Sequence, residues 1–241
     1  MPKPVKVPSS ATSTKRFSLV PVAAQRRMYE TLSSLKPADP DLASGAEVAE
    51  VALCVAMGEN DPVILACAAQ GAHSVKKAGT FVGGKKPGGQ GRLAEATLLA
   101  VAKLLEDSTA TAMICVGKID PQEDYRNVFG FAARHKLPIL FLVANTLTPG
   151  RRQIVDLRSL YEDLAIPVFS VDANDAIAAY RVATEALHNA RHLRGPCVVE
   201  ALTIHGKRNS SGNAVDLLRN YMERHGNWPL ASELKNMPTS C

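Results

Sequence analysis

Two pairs of small or polar residues each follow an apolar run, in an arrangement typical of a cofactor site. Gly117 and Lys118 come after the first run. Asn145 and Thr146 come after the second, and a stretch compatible with a helix separates the two runs. Ligands of parallel α/β sheets bind at the carboxyl ends of the strands, so both pairs would line one site if the runs are strands. The question is what such residues would bind.

A second candidate is GTFVGGKK, residues 79–86, which satisfies the first seven positions of a phosphate-binding Walker loop. Such a loop follows a buried strand and opens a helix, so that backbone N–H groups hold the phosphates while a Ser or Thr holds magnesium. Here Lys86 replaces that hydroxyl, Pro87 and two glycines follow, and the preceding HSVKKA is not typical of a strand. A flexible basic loop is therefore favoured over a nucleotide site.

Two other polar groups have ordinary structural explanations. His188 and His192 lie four residues apart on a predicted helix, but no carboxylate or Cys continues their four-residue spacing, which favours a solvated helix face over a metal site. Asp120, Glu123 and Asp124 follow a predicted strand. Acidic residues in that place serve a site or begin a helix by complementing its dipole, and both explanations stay open.

The elements that must position these residues are short apolar runs separated by helical patterns. The runs do not alternate polar and apolar residues, which predicts strands buried on both faces. The predicted strands are residues 62–67, 112–116, 139–143, 167–171 and 197–202. The predicted helices are residues 22–35, 45–57, 92–105, 124–135, 155–164, 175–193 and 215–224. This alternation predicts an α/β fold with a doubly wound, mostly parallel sheet.

The chain of 241 residues, 46% of them hydrophobic, suffices for one α/β domain, which we expect over residues 19–230. Residues 1–18, rich in Pro, Ser, Thr and Lys, are expected to form a disordered basic tail, and residues 231–241 a C-terminal tail. Residues 1–27 hold six Lys and Arg and no Asp or Glu, so the net charge of +5 originates there. Without interleaved aromatic residues, this segment predicts no nucleic-acid or membrane partner.

The cysteines and the hydropathy pattern indicate the compartment. The five cysteines are widely spaced and form no CxxC pair, which is typical of reduced core residues. No apolar stretch approaches the ~20 residues of a membrane span, and the first residues lack the apolar centre of a secretory signal. We therefore expect a cytoplasmic protein.

Several segments follow one another in an informative order: VPVAAQRRMYETL, GAEVAEVALCVAM, NDPVILACAAQGAHSVKKAG, MICVGK, RHKLPILFLVANT and GPCVVEALTIHGK. Together they resemble the α subunit of thiamine-diphosphate-dependent 2-oxoacid dehydrogenases, the pyruvate, branched-chain and acetoin group, over roughly residues 20–228. The matching residues are Arg27, Met28, Tyr29, Gly45, Glu47, Lys136, Leu137, Pro138, His205 and Gly206. The resemblance implies a thiamine-diphosphate-binding fold.

In that family a magnesium ion holds the diphosphate, and its ligands are an Asp in a GDG segment after one strand and an Asn in an NN segment after the next. Mg²⁺ prefers such oxygen ligands. Counting back without gaps from residues 136–138 places GDG on residues 116–118 and NN on residues 145–146. Gly117 then stands at the Asp position and Thr146 at the Asn position, so the resemblance implies that this chain has lost the magnesium ligands.

The loss of the metal ligands leaves the hypothesis of an anion site without magnesium. Lys118 falls where the magnesium would sit, and an ammonium group neutralises phosphate as a point charge. His73 and His205 match the family's cofactor-side histidines, and His205 is the candidate catalytic residue. A frame shift placing Asp120 in the metal role would require a local deletion. The residues expected to bind thiamine diphosphate, with no metal ligand among them, are Gly117, Lys118, Asn145, Thr146 and His73.

The resemblance implies two alternative functions. In two-chain members of the family a β subunit supplies the Glu that activates the cofactor, and the active site lies between the chains. The first hypothesis is a subunit that decarboxylates a 2-oxo acid oxidatively, with thiamine diphosphate and a β-like partner, in a homo- or hetero-oligomer. The second is a non-catalytic α-like scaffold or regulatory subunit that has lost the cofactor.

Overall fold

The computed structural model describes residues 18–35, 46–66, 92–118, 124–147, 157–193, 195–204 and 211–228. The helices in these ranges are α1 (Val22–Ser33), α2 (Glu47–Ala56), α3 (Arg92–Glu106), α4 (Tyr125–Arg134), α5 (Leu157–Asp163), α6 (Ala176–Leu193) and α7 (Ser211–Arg224). The strands are β1 (Val63–Leu65), β2 (Ala112–Lys118), β3 (Ile139–Leu147), β4 (Val168–Asp172) and β5 (Cys197–Ile204).

These five strands form one sheet in the order β1-β2-β3-β5-β4, and every neighbouring pair is parallel. Parallel neighbours need crossover connections, which the helices supply as they pack on the sheet. One face packs against α1, α2, α6 and α7, in a core that includes Leu53 and Val199. The other packs against α3, α4 and α5, around Phe129 and Phe141. The predicted doubly wound parallel sheet is confirmed.

The direction in which the chain leaves the sheet changes between β3 and β5, which are neighbours. The connection after β3 runs through α5 on one face, whereas β5 is followed by α7 on the opposite face. Adjacent strands whose connections leave to opposite faces form a crevice at their carboxyl ends, the usual ligand site of open α/β sheets. The topology therefore directs attention to the carboxyl halves of β3 and β5.

The amino ends of the strands are joined by a buried carboxylate. Asp61, just before β1, accepts hydrogen bonds from Gly58 N at 2.7 Å and from Thr111 N at 2.8 Å. Arg191 of α6 pairs with the Asp61 carboxylate and donates from Nε to Thr111 Oγ1 at 3.1 Å. We call Asp61, Thr111 and Arg191 the Asp61 cluster. It holds the beginnings of β1 and β2 against the end of α6.

Helix α4 begins at a side-chain cap. Asp124 accepts a hydrogen bond from the backbone N–H of Asn127 at 3.1 Å. Such a cap satisfies one of the N–H groups that have no partner in the first helical turn. For Asp124 this supports the explanation as a helix start, whereas Asp120 and Glu123 lie outside the described residues.

Strands β2, β3, β4 and β5 all continue past their predicted carboxyl ends, and two of them carry predicted site residues there. β2 reaches Lys118 and β3 reaches Leu147. Gly117 and Lys118 still pair with β3, and Asn145 and Thr146 still pair with β5. The strand ladder is formed by hydrogen bonds between backbone groups, so polar residues can continue a strand beyond its apolar run. All four predicted site residues therefore lie within strands rather than after them.

Strand β4 departs from the prediction of burial on both faces. It pairs with β5 alone, and its exposed residues include Val168, which is 38% exposed, and Ser170. An edge strand has one free side, and solvent reaches its faces more readily than those of a central strand. The prediction was wrong for this strand because an apolar run does not reveal the strand's place in the sheet.

The described cysteines are core residues. Cys54, Cys115 and Cys197 are buried and form no disulfide. Burial raises the pKa of the Cys197 thiol to about 11 and that of Cys54 far above its ordinary value. The other two cysteines lie outside the described residues. In the ranges that the structure describes, no helix has the length and hydropathy needed to cross a membrane.

Candidate functional site

Gly117 lies at an irregularity of β2 near the carboxyl edge of the sheet. Cys115 pairs with Leu142 and Gly117 with Val143, so one extra residue of β2 is accommodated between these pairs. The φ angle of Gly117 is 72°, in the left-handed region where a Cβ atom is strained. An Asp in this conformation would carry that strain. The local backbone therefore favours glycine at this position.

Asn145 is the predicted site residue whose side chain the structure describes best. It lies in β3, is 6% exposed, and donates from Nδ2 to Glu200 Oε1 at 2.7 Å. Glu200 lies on the neighbouring strand β5, and the two residues face the same side of the sheet. A hydrogen bond to a carboxylate is stronger than one between neutral groups. The Asn145 amide is therefore held in a fixed orientation beside a negative charge.

Glu200 is shared between two strands, because β5 lies between β3 and β4. Its second oxygen, Oε2, accepts a hydrogen bond from Ser170 Oγ of β4 at 3.2 Å. We call Asn145, Ser170 and Glu200 the Glu200 cluster. The sequence prediction missed Glu200 and Ser170. The available signal was a single acidic residue inside the apolar run CVVEALT, since a charge in a buried strand needs a specific partner.

The structure brings together the backbones of the predicted residues on β2 and β3. Lys118 pairs with Ala144, the residue before Asn145, and Thr146 pairs with Thr203 of β5. The side chains of Lys118 and Thr146 lie outside the described part of the chain. His73 and His205 also lie outside it, so their role in a site stays a prediction.

A magnesium clamp of the family's kind does not suit the described side chains. Gly117 has no side-chain oxygen, and Asn145 offers a single oxygen, because its amide nitrogen donates to Glu200. Within the described ranges, no three His, Cys, Asp or Glu residues are arranged to hold a metal ion. Because Mg²⁺ needs several oxygen ligands in near-octahedral geometry, these residues offer too few.

The two histidines of α6 lie side by side on an exposed helix surface. The ring centroids of His188 and His192 are 4.2 Å apart, and both residues are exposed. Contact between residues four apart is what helical geometry produces. This supports the interpretation as a solvated helix face.

Known dehydrogenase α subunits are similar to part of this chain. The 2-oxoisovalerate dehydrogenase subunit alpha of Bacillus subtilis (strain 168) is 27% identical over 112 residues, which cover 44% of this chain and 34% of that protein. The 3-methyl-2-oxobutanoate dehydrogenase subunit alpha of Mycobacterium tuberculosis is 32% identical over 111 residues, which cover 44% of this chain and 30% of that protein. The chain thus spans about a third of the length of these relatives.

A structural neighbour and a family match complete the comparison. The crystal structure of benzoylformate decarboxylase from Polynucleobacter necessarius superposes with a TM-score of 0.48 and 14% sequence identity, over 71% of this chain and 34% of that chain. Residues 42–210, more than half of the sequence, match the family described as Dehydrogenase E1 component. The resemblance found in the sequence is confirmed, and the chain belongs to the dehydrogenase E1 component family.

Proposed function

We propose that this chain is an α-like subunit of a thiamine-diphosphate-dependent 2-oxoacid dehydrogenase and takes part in oxidative decarboxylation of a 2-oxo acid with a β-like partner. The family match over residues 42–210 carries the proposal. The names of the similar Bacillus subtilis and Mycobacterium tuberculosis proteins support a 2-oxo acid as the substrate class. Because the chain spans about a third of those proteins, activity, substrate and partner all belong to the proposal.

In this proposal the chain holds the anionic end of the cofactor without magnesium. Bound thiamine diphosphate supplies the decarboxylation chemistry. Lys118 and Asn145 lie on neighbouring strands near the carboxyl edge, where a phosphate-binding group would be needed. The Lys118 ammonium neutralises a phosphate as a point charge, and His205 contributes from beyond the end of β5. Thr146 and His73 complete the proposed set.

A second function, that of a non-catalytic scaffold or regulatory subunit, is favoured by one observation in the Glu200 cluster. Asn145 Nδ2 lies 2.7 Å from the Glu200 carboxylate. A carboxylate beside Asn145 repels a phosphate at short range, since charges in a partly buried site are weakly screened. With glycine at the metal position as well, the described residues are less favourable to a diphosphate than those of the resembled family.

Co-expression with a β-like dehydrogenase subunit separates the two functions. We expect the chains to purify together, with thiamine diphosphate retained in the complex after treatment with a magnesium chelator. A complex without cofactor supports the scaffold. Cofactor that is lost completely on chelation contradicts binding without magnesium, and failure to bind any β-like subunit contradicts both functions.

A substitution of the proposed phosphate-binding lysine sharpens this experiment. Lys118→Met should weaken thiamine diphosphate binding by the complex about tenfold, because an ionic contact to phosphate is lost. The control is Lys103→Met on α3, where the lysine already pairs with Glu106 at 2.7 Å on the helix surface. Equal affinities of the two variants in calorimetry would remove Lys118 from the site.

A further inference from the structure

A cavity of about 440 Å³ lies between β4, β5 and the end of α5, on the face of the sheet that also carries Phe129. Its volume is in the range of small-ligand sites. Ile166 and Pro167 contribute an apolar wall, and Glu162 and Glu200 contribute carboxyl groups. The described residues that line it include no Lys, Arg or His. The lining is therefore apolar with a negative charge.

The charge of Glu200 is not balanced by a cation within the described part of the chain. Its two hydrogen-bond donors among the described residues, Asn145 Nδ2 and Ser170 Oγ, are neutral groups. A carboxylate has about four acceptor positions, so two donors leave acceptor capacity on both oxygens. Half-buried charges are usually paired, because removing them from water is costly. Among the residues that the structure describes, Glu200 thus has no cationic partner.

Tyr161 of α5 lines the same cavity and has an unused polar group. The residue is 2% exposed, and its hydroxyl has no hydrogen-bond partner among the described residues. Burial raises the pKa of Tyr161, and the negative charge of Glu200 raises it further. Buried hydroxyl groups are nearly always hydrogen-bonded, so an orphan beside a cavity indicates a missing partner. Exposed Val168 and Ser170 of the edge strand leave the cavity open to solvent.

The geometry points to a binding site for a small organic cation, an ammonium group on a short apolar body. The ammonium donates a hydrogen bond to the Glu200 carboxylate, and a second one to the Tyr161 hydroxyl oxygen requires the ligand to displace the groups that now cover that oxygen. The apolar body packs on Ile166, Pro167 and Val168. This site lies on one face of the sheet near β4, and it adjoins the proposed phosphate site through the hydrogen bond between Asn145 and Glu200. Its test uses the chain without cofactor.

Three probes with the same phenyl body and different charges test whether the site prefers a cation. Benzylamine, which is a cation at neutral pH, should bind the full-length chain saturably and shift the amide NMR signals of Ala165, Val168 and Glu200. Benzyl alcohol should bind at least about tenfold more weakly, since it lacks the charge-assisted hydrogen bond, and benzoate should not bind. Equal binding of benzylamine and benzyl alcohol would overturn the inference, as would the absence of saturable benzylamine binding into the millimolar range.

Three variants locate the site. Glu200→Gln should weaken benzylamine binding about tenfold, and Tyr161→Phe about fivefold. Glu185→Gln is the matched control, because it removes the same charge from an exposed position on α6, which packs on the opposite face of the sheet. Unchanged affinity in Glu200→Gln contradicts the site. If that variant does not fold, Tyr161→Phe and the probe series decide the question alone.

Discussion

Two carboxylates in this sheet have opposite surroundings. Asp61, at the amino ends of the strands, is 6% exposed and accepts two backbone hydrogen bonds in addition to its ion pair with Arg191. Glu200, in the middle of β5, is half-buried and accepts hydrogen bonds from two neutral side chains, Asn145 and Ser170. The first carboxylate has both backbone donors and a cationic partner, whereas the second is held in place without a cationic partner in the described ranges.

This difference distinguishes the Asp61 cluster, which stabilises the fold, from the Glu200 cluster, which is suited to binding a ligand. A buried carboxylate whose neighbours all donate contributes to folding, and its removal leaves several groups without a partner. A carboxylate with spare acceptor positions beside a cavity contributes less to folding and more to recognition. Open α/β sheets place their ligands away from the amino ends of the strands, in agreement with this division.

The largest expected effect comes from breaking the Asp61 cluster. Asp61→Asn places an amide N–H₂ group where Gly58 N and Arg191 now donate, so donors face donors. We expect the free energy of unfolding to fall by about 2–3 kcal/mol in urea titrations. This loss is at the lower end of the range for breaking a buried ion pair, because the Arg191 side chain is 39% exposed.

The control for this change is a surface ion pair. Arg126 and Asp163 are 3.1 Å apart, with side chains 65% and 58% exposed. Asp163→Asn should cost less than about 0.5 kcal/mol, because exposed pairs are screened by water. If the two variants lose the same stability, Asp61 is not the structural centre that its surroundings indicate.

The next effect concerns the backbone at the carboxyl edge. Gly117→Ala forces a Cβ atom into a φ of 72° and should lower the free energy of unfolding by about 1–2 kcal/mol. Gly130→Ala on α4 is the matched control: its Cβ would meet Leu164 Cδ2 at 3.7 Å, an ordinary contact. That variant should gain up to about 1 kcal/mol from helix propensity. If both changes alter the free energy of unfolding equally, the irregular backbone of β2 must adjust its φ angle to accommodate a Cβ atom.

Much of the fold was predictable from local patterns. Residues 139–143 were predicted as a strand because they form an apolar run of strand length bounded by turn residues, and they form the first half of β3. The helix at residues 175–193 was predicted by periodicity and begins one residue later, at Ala176. Such elements are encoded within a few residues of themselves, so a single sequence reveals them.

The Glu200 cluster was not predictable in this way. Asn145 and Glu200 are 55 positions apart and meet only because β5 is the neighbour of β3 in the sheet. Strand order is a property of the whole chain, and a pattern of apolar runs does not specify it. The conformation of Gly117 could not be predicted either. Glycine is compatible with almost any φ, so its occurrence in the sequence does not specify one.

Substitution of Tyr161 should have a smaller effect on stability, and it should stabilise the protein rather than destabilise it. Tyr161→Phe removes a buried hydroxyl without a described partner and should raise the free energy of unfolding by about 0.5–1 kcal/mol. Because the pKa of Tyr161 is raised in the folded chain, the unfolded chain releases this proton first, near its ordinary pKa of 10.0. The stability of the unsubstituted chain should therefore fall above pH 10.0 more steeply than that of the variant.

Alkaline unfolding of the two proteins measures this difference, because all other tyrosines and lysines titrate in both. Parallel pH profiles would show that the Tyr161 hydroxyl is already satisfied. A variant that is more stable and yet binds benzylamine more weakly would show instead that the chain keeps an unfavourable hydroxyl for a ligand, a common trade of stability for function.

The smallest expected effect on stability is that of Glu200→Gln, although it is the same chemical change as Asp61→Asn. The glutamine carbonyl still accepts from Asn145 Nδ2, and its amide donates to Ser170 Oγ, which reverses that hydrogen bond without losing it. We expect the free energy of unfolding to change by less than about 0.5 kcal/mol in the urea titration used for Asp61→Asn. A loss as large as that of Asp61→Asn would mean that a cation of this chain already balances Glu200. The two carboxylates would then be alike, and the cavity beside Glu200 would have no charge to offer a ligand.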